Sequence, residues 1–353
     1  MVWGRYRYIL ENKARVYGLL IGAFVLKSIG GSWDVAYHFK YLREFYQIPH
    51  ILNGVGDVGV VLICAYLWRT IPKSERGPIK IVLAGIATFV FGIGFDQWYH
   101  ARFGLDLTIW SPAHITLYLG TFIGVMGTIR LVAQDHQMGV ISLRTHTLYT
   151  FVLLFLVLEA FWFLLIQQEQ GVITDYYLER GVHVVSDELF LAFFGSQRNV
   201  YAGIPYWVYG AWGVFSLVAV FNFAKRLRLF AWSSTIIAAE YVLFRFLTNG
   251  VYAWVAYPTS TVPYYIIPMA IIFDGAYLFF RKQIWWQAVL PNACIVIGIA
   301  LVGFIETTYP LHPPIPEETV QYAIPAAFLG YFVAELLFRA IFSDAVFRKK
   351  SST

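Results

Sequence analysis

The stretch IVLAGIATFVFGIGFDQWYH, residues 81–100, begins with fifteen residues that carry no charge and ends on Asp96 and His100. Uncharged apolar runs of about 20 residues are typical of helices that cross a lipid bilayer. Similar runs recur along the whole chain, which is 59% hydrophobic and only 13% charged, whereas soluble domains are about 25% charged. The sequence therefore predicts an all-α, polytopic integral membrane protein.

These runs predict about ten transmembrane helices, at residues 16–32, 50–68, 79–98, 112–130, 147–166, 205–224, 231–249, 263–280, 285–305 and 322–342. Lys and Arg are distributed unevenly around them: 18 lie at the two termini and in every second loop, and five lie in the other loops. Basic residues accumulate on the cytoplasmic side of membrane proteins. Both termini are therefore predicted to be cytoplasmic, in a multi-pass protein of the cell (plasma) membrane.

Two connecting segments share one pattern. Residues 33–50 read WDVAYHFKYLREFYQIPH, and residues 95–114 read FDQWYHARFGLDLTIWSPAH. Each contains D-x-x-Y-H, then a polar crossing, then a proline-led His at the start of the next span. The sequence therefore predicts two parts, a duplicated pair of helix hairpins with D-x-x-Y-H motifs at residues 1–146 and six further transmembrane helices at residues 147–353. The second part includes an acidic outer loop at residues 167–204.

The repeated pattern can bring one carboxylate and two imidazoles to the outer end of each hairpin. Asp and His four residues apart lie on one face of a helix, and Pro favours the first turn of the next helix, where the second His follows. Two imidazoles and a carboxylate suit copper, zinc or iron. An Asp–His hydrogen bond that fixes a helix end is the structural alternative. The candidate metal ligands are Asp34, His38, His50, Asp96, His100 and His114.

Two ionisable residues within the predicted spans accompany the first pattern. Lys27 precedes Asp34 by seven residues and Asp57 follows His50 by seven, so each lies about two helical turns from a candidate ligand on the same helix face. Ionisable groups inside a membrane are functional candidates. Lys27 is predicted to hold the Asp34 carboxylate ionised and Asp57 to relay protons, with a buried structural carboxylate as the alternative for Asp57.

The second pattern resembles the copper-site segment of the C subunit of the particulate methane and ammonia monooxygenases. That segment places Asp, a His four residues later and a second His about a dozen residues further on, across a helix–helix crossing. Residues 33–114 carry the resemblance. It implies copper as the cofactor, with Asp96, His100 and His114 as ligands. It also implies a second, similar site formed by the other three candidates, Asp34, His38 and His50.

Other functions remain open at the level of sequence. The whole chain is similar in size and character to an accessory subunit of the archaeal DoxBCE-type terminal quinol oxidase, which implies no metal of its own. A secondary transporter is a further alternative, because repeats and many spans are typical of that class. Haem is not expected, since none of the eight His lies in the middle of a predicted span. Basic residues in short loops do not indicate nucleic acid binding.

The expected role of the protein follows from these resemblances and from the motifs that its sequence lacks. The protein is expected to act as a subunit of an oxidoreductase complex and not as an enzyme alone, because the sequence contains no soluble cupredoxin-like domain, haem pattern or flavin motif. Its expected partners are other membrane subunits of a redox complex, lipid and quinol. The expected cofactor is copper, with zinc or iron as substitutes that the ligand chemistry also allows.

Overall fold

The computed structural model of the protein describes residues 2–38, 47–103, 110–160, 180–181, 207–255, 262–306 and 317–342. Within these ranges the chain forms ten α-helices, one short 3₁₀ turn at Lys73–Glu75 and no β-strand. The first five helices are α1 (Val2–His38), α2 (Ile48–Thr70), α3 (Gly77–Phe103), α4 (Pro112–Gln137) and α5 (Leu143–Ala160). The others are α6 (Trp207–Arg226), α7 (Ser233–Trp254), α8 (Ile266–Phe279), α9 (Ile284–Glu306) and α10 (Glu317–Phe342).

Each of the ten predicted spans overlaps one of these helices. Within the described ranges, seven helices are long and apolar enough to cross a membrane: α1 to α5, α9 and α10. α8 is apolar but has only 14 residues, and at 1.5 Å per residue it is shorter than the hydrocarbon layer. The protein is therefore a multi-pass helical membrane protein. The predicted acidic loop at 167–204 lies outside the described residues, apart from residues 180 and 181.

α3 and α4 pack with their backbones in contact. A Cβ atom added to Gly85 would lie 2.6 Å from the carbonyl oxygen of Gly120, and one added to Gly120 would lie 2.5 Å from the backbone nitrogen of Phe89. Small residues allow transmembrane helices to approach this closely. Gly85, in the apolar run at residues 81–100, and Gly120 thus allow α3 and α4 to pack closely, which brings the end of α3 and the start of α4 together.

α1 and α2 form a second close pair, again with glycines at the points of contact. A Cβ atom at Gly30 would lie 2.6 Å from the backbone nitrogen of Asn53, and one at Gly56 would lie 2.8 Å from the backbone nitrogen of Lys27. Any larger side chain at either position would push the two helices apart. The two helix pairs therefore depend on glycine at their contact points.

Contacts between α1, α4 and α5 orient the two pairs. Lys13 near the start of α1 lies 3.0 Å from the Asp135 carboxylate near the end of α4, and Tyr17 donates a 2.6 Å hydrogen bond to the same carboxylate. Tyr149 of α5 donates to the carbonyl of Ala14. Since α1 and α4 run antiparallel, the end of α1 lies at the same end of the bundle as the start of α4. Both D-x-x-Y-H patterns therefore lie at that end.

The remaining helices form a second group against the first. In α6, a Cβ atom at Gly210 would lie 2.5 Å from Thr319 Oγ1 of α10, so these two helices also meet at glycine. Lys225 and Asp274 form a buried ion pair at 2.6 Å, and the hydroxyl of Thr235 donates to the same carboxylate at 2.8 Å. This buried charge is balanced within α6, α7 and α8, which makes it a structural feature of the second group.

Candidate metal centre

The start of α4 is fixed by a local cap. Ser111 precedes the helix, Pro112 occupies its first turn, and the Ser111 hydroxyl accepts a 3.2 Å hydrogen bond from the backbone N–H of His114. Ser111 is fully buried. A serine cap satisfies one of the free N–H groups at a helix start, and here that N–H belongs to a predicted ligand. The cap therefore sets the position from which the His114 side chain projects.

An aromatic contact supports the same turn from the second helix group. Trp110 is buried, and its ring lies edge-on to Trp212 of α6 with 5.5 Å between centroids. Aromatic pairs at this separation and angle are favourable beyond the area they bury. The residues just before the cap are thus held between the two halves of the molecule.

Asp96, His100 and His114 converge at this end of α3 and α4. Asp96 Oδ1 lies 3.6 Å from His100 Nε2 and 3.3 Å from His114 Nε2. The two imidazole rings are nearly perpendicular, with 6.0 Å between their centroids. One ligand atom from each residue lies within 4.8 Å of the others, and this is the single such group of three among the described residues. The structure therefore brings together the three ligands predicted from the second pattern.

The separations fit a shared metal ion. With bonds of about 2.0 Å, two ligands of a tetrahedral ion lie about 3.3 Å apart, close to both Asp96–imidazole distances. Asp96 Oδ1 is shielded from solvent and accepts no hydrogen bond from the described residues. A buried carboxylate oxygen without a hydrogen bond is costly unless a cation compensates it. The three residues thus have the composition and spacing that suit a metal ion.

The group is partly open. The side chains of Asp96 and His114 are each 22% exposed, and that of His100 is 28% exposed. A closed structural site would leave no position for an outside molecule, whereas catalytic metal sites keep one. Three protein ligands with partial exposure therefore suit a centre that binds a further ligand.

The first pattern is arranged differently. His50 Nε2 lies 2.8 Å from Asp34 Oδ1, so the structure places these two candidate ligands in contact. His38 is the last residue of α1, and its side chain lies outside the part of the molecule that the structure describes. The described atoms of this hairpin therefore form an Asp–His contact, and a three-ligand group is described only at the second hairpin.

Lys27 and Asp57, predicted as separate supports of the first pattern, contact each other. Lys27 Nζ lies 3.0 Å from each carboxylate oxygen of Asp57 and 3.0 Å from the side-chain oxygen of Asn53. It also lies 2.8 Å from the centroid of the Phe89 ring, within the range of a cation–π interaction. The Lys27 side chain is only 2% exposed. The contacts of Lys27 among the described residues are thus with Asn53, Asp57 and Phe89, and Asp34 is not among them.

Sequence reasoning missed Ser111 and Asn53. Ser111 carried a recognisable signal, because serine directly before a proline is typical of a helix start. Asn53 lies three residues after His50, and a single polar residue in an apolar span could have indicated the Lys27 contact. Neither residue belonged to the repeated pattern itself.

Comparisons with known protein families, with curated proteins and with solved structures found no match to this chain. The resemblance to the copper monooxygenase subunit therefore stays a prediction from the residues of the second pattern.

Proposed function

We propose that this protein is a metal-binding subunit of an aerobic membrane redox complex, with copper held by Asp96, His100 and His114. One observation carries the proposal: the solvent-shielded Asp96 oxygen faces two imidazole nitrogens at 3.3 and 3.6 Å and accepts no hydrogen bond from the described residues. Zinc and iron fit the same ligands by chemistry alone. Copper is preferred because of the resemblance of the second pattern to the monooxygenase segment.

The proposal includes an orientation. The chain crosses the plasma membrane ten times, with the 14-residue α8 as a short span that thins the bilayer locally. Both termini are cytoplasmic, and the metal centre faces outward. The strong bias of Lys and Arg toward alternate loops supports this orientation. The antiparallel contact of Lys13 with Asp135 is consistent with it, since it lies at the end opposite the metal ligands. An outward, partly exposed centre is accessible to a partner subunit or to a small molecule.

Four residues have different roles at the proposed metal centre. Asp96 supplies the charge that balances a cation, and His100 and His114 supply neutral nitrogen ligands. Ser111 fixes the helix start from which His114 projects. Bound copper would supply either dioxygen activation or transfer of electrons from quinol. Catalysis requires other membrane subunits, because the sequence contains no second redox cofactor motif.

Metal analysis of the purified complex tests this function. We expect about one copper per chain in the wild type, loss of that copper in His100→Ala, and retention in His38→Ala and in Gln97→Ala. Gln97 is an exposed neighbour on the same helix, so it controls for general damage to this end of α3. The copper resonance spectrum of the wild type should also show coupling to imidazole nitrogen.

Two results would overturn the proposal. Copper, zinc and iron at background level in the wild type would leave the accessory oxidase subunit and the transporter as the remaining functions. An unchanged metal content in His100→Ala would show that the metal is bound elsewhere. The subunits that purify with the protein would then separate those two functions, since a quinol oxidase contains a haem-bearing catalytic partner.

A further inference from the structure

A cavity lies between α1, α2, α3, α4 and α5, deeper in the bundle than the metal ligands. The space open to the centre of a water molecule is about 50 Å³, and about 10–15 Å³ on this measure holds one water molecule. Its lining includes polar or ionisable side chains from four of the five helices: Lys27, Ser32, Asn53, Tyr118, Thr121 and Glu159. The cavity therefore has both the room and the polar partners that buried water requires.

Glu159 is the unexplained group in this lining. The residue is 8% exposed, and its Oε2 atom is buried without a hydrogen-bond partner among the described residues. The ion pair of Lys27 with Asp57 does not include it. From α7, the charge of the buried Arg245 and the phenols of Tyr241 and Tyr252 act on it. A carboxyl group at a membrane depth is costly when nothing solvates it. Water in the cavity would supply the missing hydrogen bonds of Glu159.

The cavity lies next to the outer end of both hairpins. Tyr118 follows His114 by four residues on α4, which is about 6 Å along the helix axis, and both residues lie on one helix face. Ser32 precedes Asp34 by two residues on α1. The lining thus extends to within about one helical turn of candidate ligands in each hairpin.

We propose that this cavity is a water-filled chamber that opens toward the metal-ligand end and carries protons between Glu159 and the Lys27–Asp57 pair. A proton passes from the Glu159 carboxylic acid to a cavity water. Lys27, which lines the cavity, gives a proton to the Asp57 carboxylate at 3.0 Å and takes one from the hydronium ion. Glu159 becomes a carboxylate, Asp57 becomes an acid, and Lys27 stays an ammonium ion. The reverse steps return the proton.

The chamber itself requires no metal. Delivery of its protons to the metal centre rests on the proposed function, whereas the hydration of the cavity and the exchange of the Glu159 proton do not. Both experiments below therefore use the full-length protein after removal of metal with a chelator. Their failure is distinguishable from a failure of metal binding.

Cysteine labelling tests whether water fills the cavity. Thr121 lines the cavity, whereas Leu119, two residues earlier on α4, is 47% exposed on the outside of the bundle. In a Cys64→Ala/Cys294→Ala background, Thr121→Cys and Leu119→Cys are treated with a small, charged thiol reagent from the outer side. We expect Thr121→Cys to react roughly tenfold faster or more, because only the thiolate reacts and it forms in water.

Depth in the membrane cannot explain faster labelling of Thr121→Cys than of Leu119→Cys. Thr121 lies further along α4 from the outer end than Leu119, so a shallow, frayed membrane surface would favour the control. Equal or slower labelling of Thr121→Cys would overturn the proposal and indicate a cavity filled by lipid chains or closed to water.

Infrared spectroscopy tests the proton step. We expect a carboxylic acid band that is absent from Glu159→Gln, that grows as the pH is lowered, and that shifts promptly when the buffer is changed from H₂O to D₂O. Glu159→Gln keeps the shape of the side chain and controls for packing. A Glu159 band that does not exchange, or the absence of any Glu159 band at every pH, would overturn the proton step.

Discussion

The two hairpins carry one sequence pattern but arrange their charges differently. In the second hairpin Asp96 Oδ1 faces two imidazoles at 3.3 and 3.6 Å, at the end of the helix pair. In the first, Asp34 contacts His50 at 2.8 Å, and the buried pair of Lys27 with Asp57 lies deeper in the same helices. Among the described atoms, the Asp of each pattern therefore has a different set of imidazole contacts.

The two hairpins also differ in the side chain that lies seven residues before the Asp of the pattern. Lys27 and Phe89 both precede the Asp of their own pattern by seven residues, so one hairpin has an ammonium group where the other has an aromatic ring. Lys27 is paired with Asp57 and lies over the Phe89 ring. The ammonium group therefore stands at the contact between the two hairpins, with its charge balanced inside the first.

The largest effect is expected from the helix contact that forms the second site. Gly85→Val would place side-chain atoms against the Gly120 carbonyl, and overpacking at a backbone contact costs about 3 kcal/mol or more. We expect loss of folded protein and of bound metal, measured by size-exclusion chromatography and metal analysis. Gly94→Val is the matched control, because a Cβ atom there meets no atom within 4 Å. Equal behaviour of the two variants would show that α3 and α4 do not depend on this contact.

The next effect concerns the buried pair of the first hairpin. Lys27→Met leaves Asp57 buried without its partner, and breaking a buried ion pair costs about 3–5 kcal/mol. The double variant Lys27→Met/Asp57→Leu should recover most of that stability, because both charges are then absent. Chemical unfolding in detergent measures the free energies of unfolding of the wild type, Lys27→Met, Asp57→Leu and the double variant. A double variant as unstable as the sum of the single variants would contradict the pairing.

The comparison of the two carboxylates tests the site directly. Asp96→Asn should weaken copper binding by more than about 100-fold, since even groups that only orient a metal ligand contribute about 10–100-fold. Asp34→Asn should leave the copper content of the protein unchanged. Competition with a copper chelator of known affinity measures both. An equal loss in the two variants would mean that both hairpins bind metal.

The smallest effect is expected at the cap of α4. Ser111→Ala removes the hydrogen bond to the His114 N–H and should lower the free energy of unfolding by about 1 kcal/mol. Ser111→Thr should retain most of it, because the threonine hydroxyl also caps helices. Thermal unfolding of the metal-free protein provides the measurement. An unchanged free energy of unfolding in Ser111→Ala would show that the cap does not position His114.

The local part of the site was predictable from the sequence. Asp96 and His100 share a helix face by spacing alone, and the proline before His114 set the start of α4. The helix positions followed from apolar runs for the same reason, because both depend on neighbouring residues. Whether α8 crosses the membrane was less predictable, since its helix has only 14 residues.

Contacts between distant residues were not predictable. The Lys27–Asp57 pair joins two helices whose approach depends on Gly56, and no spacing rule states which helices meet. The contact of Trp110 with Trp212 joins residues more than 100 positions apart. The cavity requires five helices to be placed at once, so a single sequence indicates its polar residues but not that they share one space.

The contact between Lys27 and Phe89 joins the two hairpins at matching positions of their patterns. The Lys27 ammonium lies 3.0 Å from both carboxylate oxygens of Asp57 and 2.8 Å from the centroid of the Phe89 ring. One cation therefore contacts a carboxylate of its own hairpin and a ring of the other, and a change at either position alters the surroundings of both hairpins.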